Sequence, residues 1–209
     1  TAKLGAGAVT TAKIADDAVG NTKLDLSANY AFTGTISGTS GDFELITDTN
    51  AAGATVVTFS SIGSFKNYMI WGRDITLSAD TSIYLTYLIG GSQQTSGYRW
   101  RVKSLKDDGN DESSNSQNAN EILVGKDFDN AASSKNQQTI WVSQLTTNTT
   151  EPSCYFESSG KMSNGTFCRS LGFGTSTNSS SGVISGFQLH VGSGTWTTGA
   201  YALYGLATT

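Results

Sequence analysis

The first thirty residues repeat a ten-residue phrase, and this repeat limits what that part of the chain can fold into. "TAKL", "TAKI" and "NTKL" recur in register, which aligns Leu4, Ile14 and Leu24. The other residues of each decad are mostly Gly, Ala, Thr and Asp, so each repeat has few apolar side chains to bury. Such a segment cannot build a hydrophobic core of its own.

A ten-residue period also argues against one long helix. At about 100° per residue, the apolar stripe would rotate by roughly 80° with every repeat. Repeat units that cannot bury their own apolar face must bury it against neighbours. We therefore expect Leu4, Ile14 and Leu24 to meet their copies near a threefold axis and form the core of a trimeric shaft. The alternative is a weakly repetitive linker without fixed structure.

The hydrophobic period changes from ten to two after "GTISGTSG", residues 34 to 41. This change predicts a shaft over residues 1–40 and a head domain over 41–209.

Only 14% of the chain is charged and Pro occurs once, which is typical of many short strands joined by tight turns. We predict an all-β fold: a jelly-roll-like antiparallel β-sandwich head preceded by an extended, repeat-containing trimeric shaft. Ten segments are predicted strands: "ATVVTFSSI", "SFKNYMIWGRDITLS", "TSIYLTYLIG", "GYRWRVKSL", "NEILVGKDF", "QTIWVSQL", "SCYFESSG", "TFCRSLGFGT", "VISGFQLHVG" and "GAYALYGLA".

Two of these segments carry bulky side chains on both faces. In residues 83–89 Ile, Leu and Tyr occupy both alternating sets, and in residues 200–206 Tyr201 and Leu203 point opposite to Tyr204 and Leu206. We expect one face of each strand to fill the sandwich and the other to meet a second subunit.

The charge balance excludes several partners. A net charge of −4 and a pI near 4.9 provide no electrostatic footprint for nucleic acid or for an anionic membrane. No stretch approaches 18 consecutive apolar residues, so we expect no membrane insertion.

The sequence contains few groups suited to catalysis. His190 is the single histidine, and alternation in "VISGFQLHV" places it on the polar side of its strand with Gln188. Two cysteines fourteen residues apart do not form a zinc motif, and there is no nucleophile elbow or phosphate-binding Gly-rich loop. We expect no cofactor and no enzyme. The remaining enzymatic alternative is a pair of carboxylates acting on a glycan.

The two cysteines lie in a predicted hairpin. Pairing "EPSCYFESSG KMSNGTFCRS" about Lys161 would place Cys154 opposite Cys168. A disulfide and two buried thiols both fit this pattern.

Four acids crowd into the segment "KDDGNDESSN", which we read as one hydrophilic loop. Oxygen-rich loops can hold calcium irregularly, so a weak calcium site is one hypothesis and solvated acids are the other. The residues concerned are Asp107, Asp108, Asp111 and Glu112.

A basic ladder precedes this loop. Alternation in "YRWRVK" sets Tyr98, Trp100 and Val102 on one strand face, opposite to Arg99, Arg101 and Lys103. Cations repelling one another on one face favour counter-charges, so we expect pairing with the acidic loop or with a neighbouring subunit. The alternative is contact with an anionic glycan.

Trp196 is the candidate receptor-binding residue, because it lies in the "GSGTWTTG" segment before the last strand and sugars often stack on an exposed ring. The alternative is a ring folded back over the core.

The phrases "AVTTAKIADDAV" and "GNTKLDL" resemble the shaft repeats of bacteriophage tail fibres, in which such decads precede a globular C-terminal head. The end "TTGAYALYGL" resembles the closing strand of those heads. The resemblance implies a homotrimeric virion protein that contacts other tail or capsid proteins and binds a host-surface glycan or protein. A capsid head fibre or decoration protein and a tail glycan depolymerase are the alternatives.

Overall fold

The computed structural model describes residues 43–63, 65–143, 151–177 and 183–206. The chain divides into two units, Thr1–Thr39 and Ser40–Thr209, and every described residue belongs to the second. The predicted shaft, with Leu4, Ile14 and Leu24, lies outside the described residues.

The described part of the chain consists of β-strands joined by turns and loops, and it contains no helix. The strands are β1 (Phe43–Asn50), β2 (Val56–Ser60), β3 (Asn67–Leu77), β4 (Thr81–Ile89), β5 (Ser92–Gln93), β6 (Tyr98–Lys106), β7 (Glu112–Ala119), β8 (Ile122–Phe128), β9 (Asn136–Ser143), β10 (Ser153–Lys161), β11 (Phe167–Ser176), β12 (Ile184–Val191) and β13 (Trp196–Leu206).

The strands form two antiparallel sheets. The large sheet has eight strands in the order β1-β13-β3-β9-β10-β11-β6-β7. The small sheet has the order β2-β12-β4, and both β5 and β8 pair with the remaining edge of β4. The predicted all-β class and antiparallel arrangement are confirmed.

The core lies between the two sheets and is rich in aromatic rings. Tyr68 on β3 meets Phe187 on β12 edge to face with ring centroids 5.4 Å apart, and Tyr87 on β4 meets Tyr98 on β6 at 5.7 Å. All four rings are buried. Burying a side chain of this size contributes about 1.5 to 3 kcal/mol, so these contacts account for much of the cohesion between the sheets.

Strand β4 is covered on both faces, as its sequence predicts. Ile83, Leu85 and Tyr87 point into the core between the sheets. On the other face Leu88 is buried, and Tyr84 is half-buried because it stacks on His190 with ring centroids 5.6 Å apart. This chain itself therefore covers the face of β4 that we expected to meet a second subunit.

All ten predicted strand segments contain strands, but the sequence did not reveal β1, β5 or β7. Strand β7, "ESSNSQNA", has no apolar residue except Ala119 and therefore shows no apolar alternation. It is a strand because its backbone pairs with β6 at one edge of the large sheet. The segment read as one acidic loop is thus a short turn followed by the start of β7.

The predicted hairpin between β10 and β11 is present, but its register differs from the prediction. Lys161 pairs with Phe167, so the turn is centred three residues beyond Lys161. Cys154 consequently faces Gly174 and Cys168 faces Gly160. The cysteines lie roughly 20 Å apart along the hairpin, too far for a disulfide, and both are buried free thiols.

We expect a thiol reagent to find two thiols per chain in denaturant without added reductant, and almost none in the folded protein. Burial raises the pKa of Cys154 to about 12, so the reactive thiolate is scarce at neutral pH as well as inaccessible. The same titration after treatment with reductant is the control. A requirement for reductant before two thiols react would contradict the register described here.

Candidate functional site

One line of side chains crosses the outer face of the whole large sheet. Its members lie directly opposite one another on successive strands. We call this line the cross-strand row; in sheet order it consists of Leu45, Tyr204, Met69, Trp141, Tyr155, Phe173, Arg101 and Asn115.

The cross-strand row is unusually apolar for an outer surface. Leu45 is 55% exposed, Tyr155 50% and Phe173 59%. Side chains directly opposite one another on paired strands have Cβ atoms about 5 Å apart, so the exposed rings of Trp141, Tyr155 and Phe173 form a continuous strip. The half-buried Met69 and Tyr204 extend this strip to Leu45. Continuous exposed apolar surface of this kind marks a contact surface.

An aromatic cluster occupies the β1 half of this face. Phe43 on β1 meets Trp141 on β9 edge to face at 5.9 Å and meets Tyr204 on β13 at 6.4 Å. Trp71 on β3 lies on the same face and is covered on one side by the Arg73 guanidinium, which is 5.5 Å from the ring centre. The rings hold one another in place. Binding of a partner to this surface would therefore cost little side-chain conformational entropy.

The β7 half of the face is cationic. Arg99, Arg101 and Lys103 alternate outward along β6, as the sequence predicts. Lys103 Nζ lies 3.4 Å from Asp111 Oδ2, which confirms pairing with the acidic segment for this residue. Within the described part of the chain, Arg99 and Arg101 have no carboxylate partner.

Two shallow hollows flank Arg101. The first has a volume of about 300 Å³ and is lined by Arg99, Trp100, Arg101, Asn115, Ser116, Gln117 and Phe173. The second has a volume of about 380 Å³ and is lined by Arg101, Lys103, Ser113, Tyr155, Leu171, Gly172 and Phe173. Both combine guanidinium donors with an exposed aromatic ring, so they can hold a ligand that has an anionic group and an apolar face.

The carboxylates proposed for calcium do not converge on one point. Asp108 Oδ1 accepts a hydrogen bond from Asn110 N at 2.9 Å, and Asp111 Oδ1 accepts one from Lys106 N at 3.1 Å. Glu112 is bonded to lysines. No group of three acids, histidines or cysteines suited to a metal ion exists among the described residues. The calcium hypothesis for Asp107, Asp108, Asp111 and Glu112 therefore has no support from the geometry.

Glu112 instead neutralises two lysines. Its carboxylate accepts hydrogen bonds from Lys106 Nζ and Lys126 Nζ, and these bonds lower the pKa of Glu112 to about 2. The Lys106 side chain is only 4% exposed and that of Lys126 13%. Charges this enclosed are tolerated because the carboxylate lies between them. The pairing of Glu112 with Lys126 could not be predicted from the sequence, because Lys126 lies on a different strand, β8.

Trp196 is the first residue of β13, and its ring is fully buried. It packs edge to face on Tyr201 at 5.8 Å, and its Nε1 donates to Tyr201 Oη at 3.3 Å. The prediction of an exposed, sugar-stacking Trp196 is therefore wrong, and the alternative of a ring folded onto the core is correct. The exposed rings lie instead on the outer face of the large sheet.

His190 is on the polar side of β12, as predicted, and is half-buried rather than fully exposed. Its ring stacks on Tyr84, and its Nε2 lies 3.0 Å from Glu121 Oε2. These contacts give His190 a packing role in the small sheet.

Among the described residues no helix has the length and apolar character needed to cross a membrane. Comparisons of the chain with protein-family models, with curated proteins and with solved structures each find no match.

We expect Glu112→Gln to lower the melting temperature by about 2 to 4 °C at pH 7, because it leaves two enclosed lysines without a counter-charge. The folded-state pKa of Glu112, about 2, lies below its ordinary value of 4.5, so its contribution is present above pH 4.5 and disappears as the pH falls toward 2. The gap between wild type and variant should close over that range in thermal melts.

Glu157→Gln is the matched control, because Glu157 is bonded to the exposed Arg169 and exposed pairs contribute little. An undiminished gap at pH 2 would contradict the assigned role of Glu112.

Proposed function

We propose that this chain is a bacteriophage virion protein, a tail fibre whose β-sandwich head attaches to the host surface. The observation that carries the proposal is the cross-strand row, whose first six members form an apolar strip from Leu45 to Phe173 that ends at Arg101. Neither Arg101 nor its neighbour Arg99 has a carboxylate partner among the described residues. A face of this composition is suited to contact with other molecules. The decad repeat supports the same proposal, since its units need neighbours for burial.

The strand order supports a jelly-roll-like head. Four strands of the large sheet run β1-β13-β3-β9, and the small sheet pairs β2-β12-β4-β8. The chain thus passes between the two facing sheets, from β1 to β2, from β3 to β4, from β8 to β9 and from β12 to β13. This connectivity is typical of the two Greek keys of a jelly roll. On this interpretation, β10 and β11 with β6 and β7 extend one sheet beyond the basic eight strands, and this extension holds the cationic half of the face.

A homotrimer would use the aromatic cluster. Tyr204 and Leu206 lie on the outer face of β13, opposite to the buried Tyr201 and Leu203, as expected for a strand with two apolar faces. Their neighbours Leu45 and Phe43 on β1 enlarge this surface. The face of β4 that we had also assigned to the trimer is covered by the chain itself, so the proposed contact is confined to the large sheet.

Trimerisation would also strengthen attachment. Three identical heads held together turn weak single contacts into a strong combined one, because each later contact forms at high effective concentration. The binding sites would then need to lie away from the threefold contact. The β7 half of the large sheet meets this condition, since it lies at the sheet edge opposite to β1.

A glycan depolymerase is the second candidate, and one observation favours it. A hollow of about 490 Å³ is lined by two carboxylates, Asp48 and Asp74, and Asp74 has a left-handed φ of 53°. Strained backbone is common at active sites. However, Asp48 is bonded to Arg73 at 2.6 Å, and the carbonyl of Asp74 accepts a bond from Thr198 Oγ1, so both residues have structural roles. New reducing ends on incubation with host polysaccharide would support the depolymerase.

Antibody labelling of phage particles that carry this gene tests the proposal directly. Gold-labelled antibodies raised against the full chain should mark the tips of tail fibres. Labelling confined to the capsid would favour a head fibre or decoration protein. Particles without any label would contradict a virion protein of either kind.

We expect the full chain to scatter light with a mass about three times 21.9 kDa, and Leu45→Glu to shift the protein toward monomer on dilution. A charge at an exposed leucine costs the single subunit little but is expensive inside a subunit contact. Leu105→Glu is the matched control. Leu105 is also an exposed leucine on the outer face of the large sheet, but it lies on β6, next to the edge opposite to β1. A wild-type monomer at micromolar concentration would contradict the trimer.

A further inference from the structure

Arg99 and Arg101 place two guanidinium groups next to each other on the outer face of β6. The two residues are separated by one position on β6, so they project from the same face about 7 Å apart along the strand. Both are exposed. Two like charges at this distance repel one another, and an anion placed between them relieves that repulsion.

The nearby acids are already engaged and do not compete for this site. Lys103 holds Asp111 at 3.4 Å. Glu157, two strands away on the same face, accepts two hydrogen bonds from Arg169 at 2.7 and 2.9 Å. The positive charge of Arg99 and Arg101 is therefore directed to solvent.

Phe173 provides an apolar platform beside these charges. It lies directly opposite Arg101 on the neighbouring strand, and 59% of its side chain is exposed. A Cβ atom at the preceding residue, Gly172, would lie 2.1 Å from the Phe156 ring. The buried Phe156 ring therefore packs directly on the β11 backbone from the core side, opposite to the face that Phe173 occupies.

Strand β7 supplies neutral polar groups on the far side of Arg101. Asn115 lies directly opposite Arg101, and Gln117 points outward two residues later. Ser116 completes the lining of the first hollow. Amides and hydroxyls both donate and accept hydrogen bonds, which suits a ligand bearing hydroxyl groups.

From these features we infer that the hollow between β6, β7 and β11 binds an acidic saccharide, with its carboxylate on Arg99 and Arg101 and the apolar face of a sugar ring on Phe173. This inference rests on the proposed function and names the class of host glycan. The arginine guanidinium binds carboxylates through bidentate hydrogen bonds, and sugar rings stack on aromatic side chains. A volume of about 300 Å³ accommodates the end or a short stretch of a glycan chain.

An acidic saccharide fits this surface better than nucleic acid does. The chain carries a net charge of −4, and a phosphate polymer would meet that charge along its whole length. A sugar carboxylate needs only the local cationic group. The neutral amides of β7 also match the hydroxyl groups of a saccharide.

A glycan array with the full-length protein tests the inference. The array presents glycans that end in uronic or sialic acid, together with the same glycans after reduction of each carboxyl to an alcohol. We expect binding to the acidic members and a loss of about tenfold or more on their reduced counterparts. Equal binding to both sets would overturn the inference.

Variants locate the site. Arg101→Gln should weaken acidic-glycan binding by about tenfold to a hundredfold. Arg101→Lys should retain part of the wild-type affinity, because lysine keeps the positive charge but cannot form bidentate hydrogen bonds. Phe173→Ala should weaken binding and Phe173→Tyr should preserve it. Arg169→Gln is the matched control, since it removes an exposed arginine of β11 that is already bonded to Glu157 and lines neither hollow.

Melting temperatures of all variants should stay close to that of the wild type, because the changed side chains are exposed. Unchanged acidic-glycan binding by Arg101→Gln would overturn the inference, and so would equal binding to single-stranded DNA. Either result leaves the labelling of phage particles unaffected, so failure of this inference is distinguishable from failure of the proposed function.

Discussion

The contact between the two sheets depends on tyrosines that are buried together with their hydroxyl groups. Tyr98 Oη accepts a hydrogen bond from Tyr87 N at 2.8 Å and donates one to Gln94 O at 3.2 Å. One side chain from the large sheet therefore completes the backbone hydrogen bonding of β4 in the small sheet. Burial raises the pKa of both tyrosines, so they remain neutral throughout the physiological range. Loss of this contact would leave buried polar groups without partners, which is costlier than the loss of apolar area alone.

Aromatic residues serve two different purposes in this sandwich. Those on the inner faces, such as Tyr68 and Phe187, hold the sheets together. Those on the outer face of the large sheet, such as Tyr155 and Phe173, are not needed for that purpose because the core is complete without them. The extra strands β6, β7, β10 and β11 widen this face, so that an apolar half and a cationic half can lie side by side without sharing residues. The sheet is thus wide enough for the proposed self-association and the proposed ligand binding to use different parts of one surface.

Features that depend on alternation within one segment, such as strand positions and side-chain faces, could be predicted from the sequence. Features that depend on pairing with strands distant in the sequence, such as register, could not. Ten strands, the two-faced β4 and the outward ladder of β6 follow from a period of two, which each segment contains in itself. The hairpin register was wrong by three residues because several turn positions near Lys161 are chemically acceptable, and only pairing with β9 and β6 selects one. Trp196 was misplaced because a Gly-rich flank resembles a loop. The cross-strand row could not be predicted, because its members lie on different strands. Only the register of β9, β10 and β11 shows that Trp141, Tyr155 and Phe173 are adjacent.

The polar strand β7 has a consequence for how densely the protein can be packed. It forms one edge of the large sheet, where unpaired backbone groups would accept a strand from another molecule. A strand added there would gain backbone hydrogen bonds but would find serine, asparagine and glutamine side chains in place of apolar partners. Little hydrophobic area would be buried, so such polymerisation is weakly driven. Crowding many copies together should therefore promote little fibril growth from the β7 edge, even at concentrations where an apolar edge would promote it.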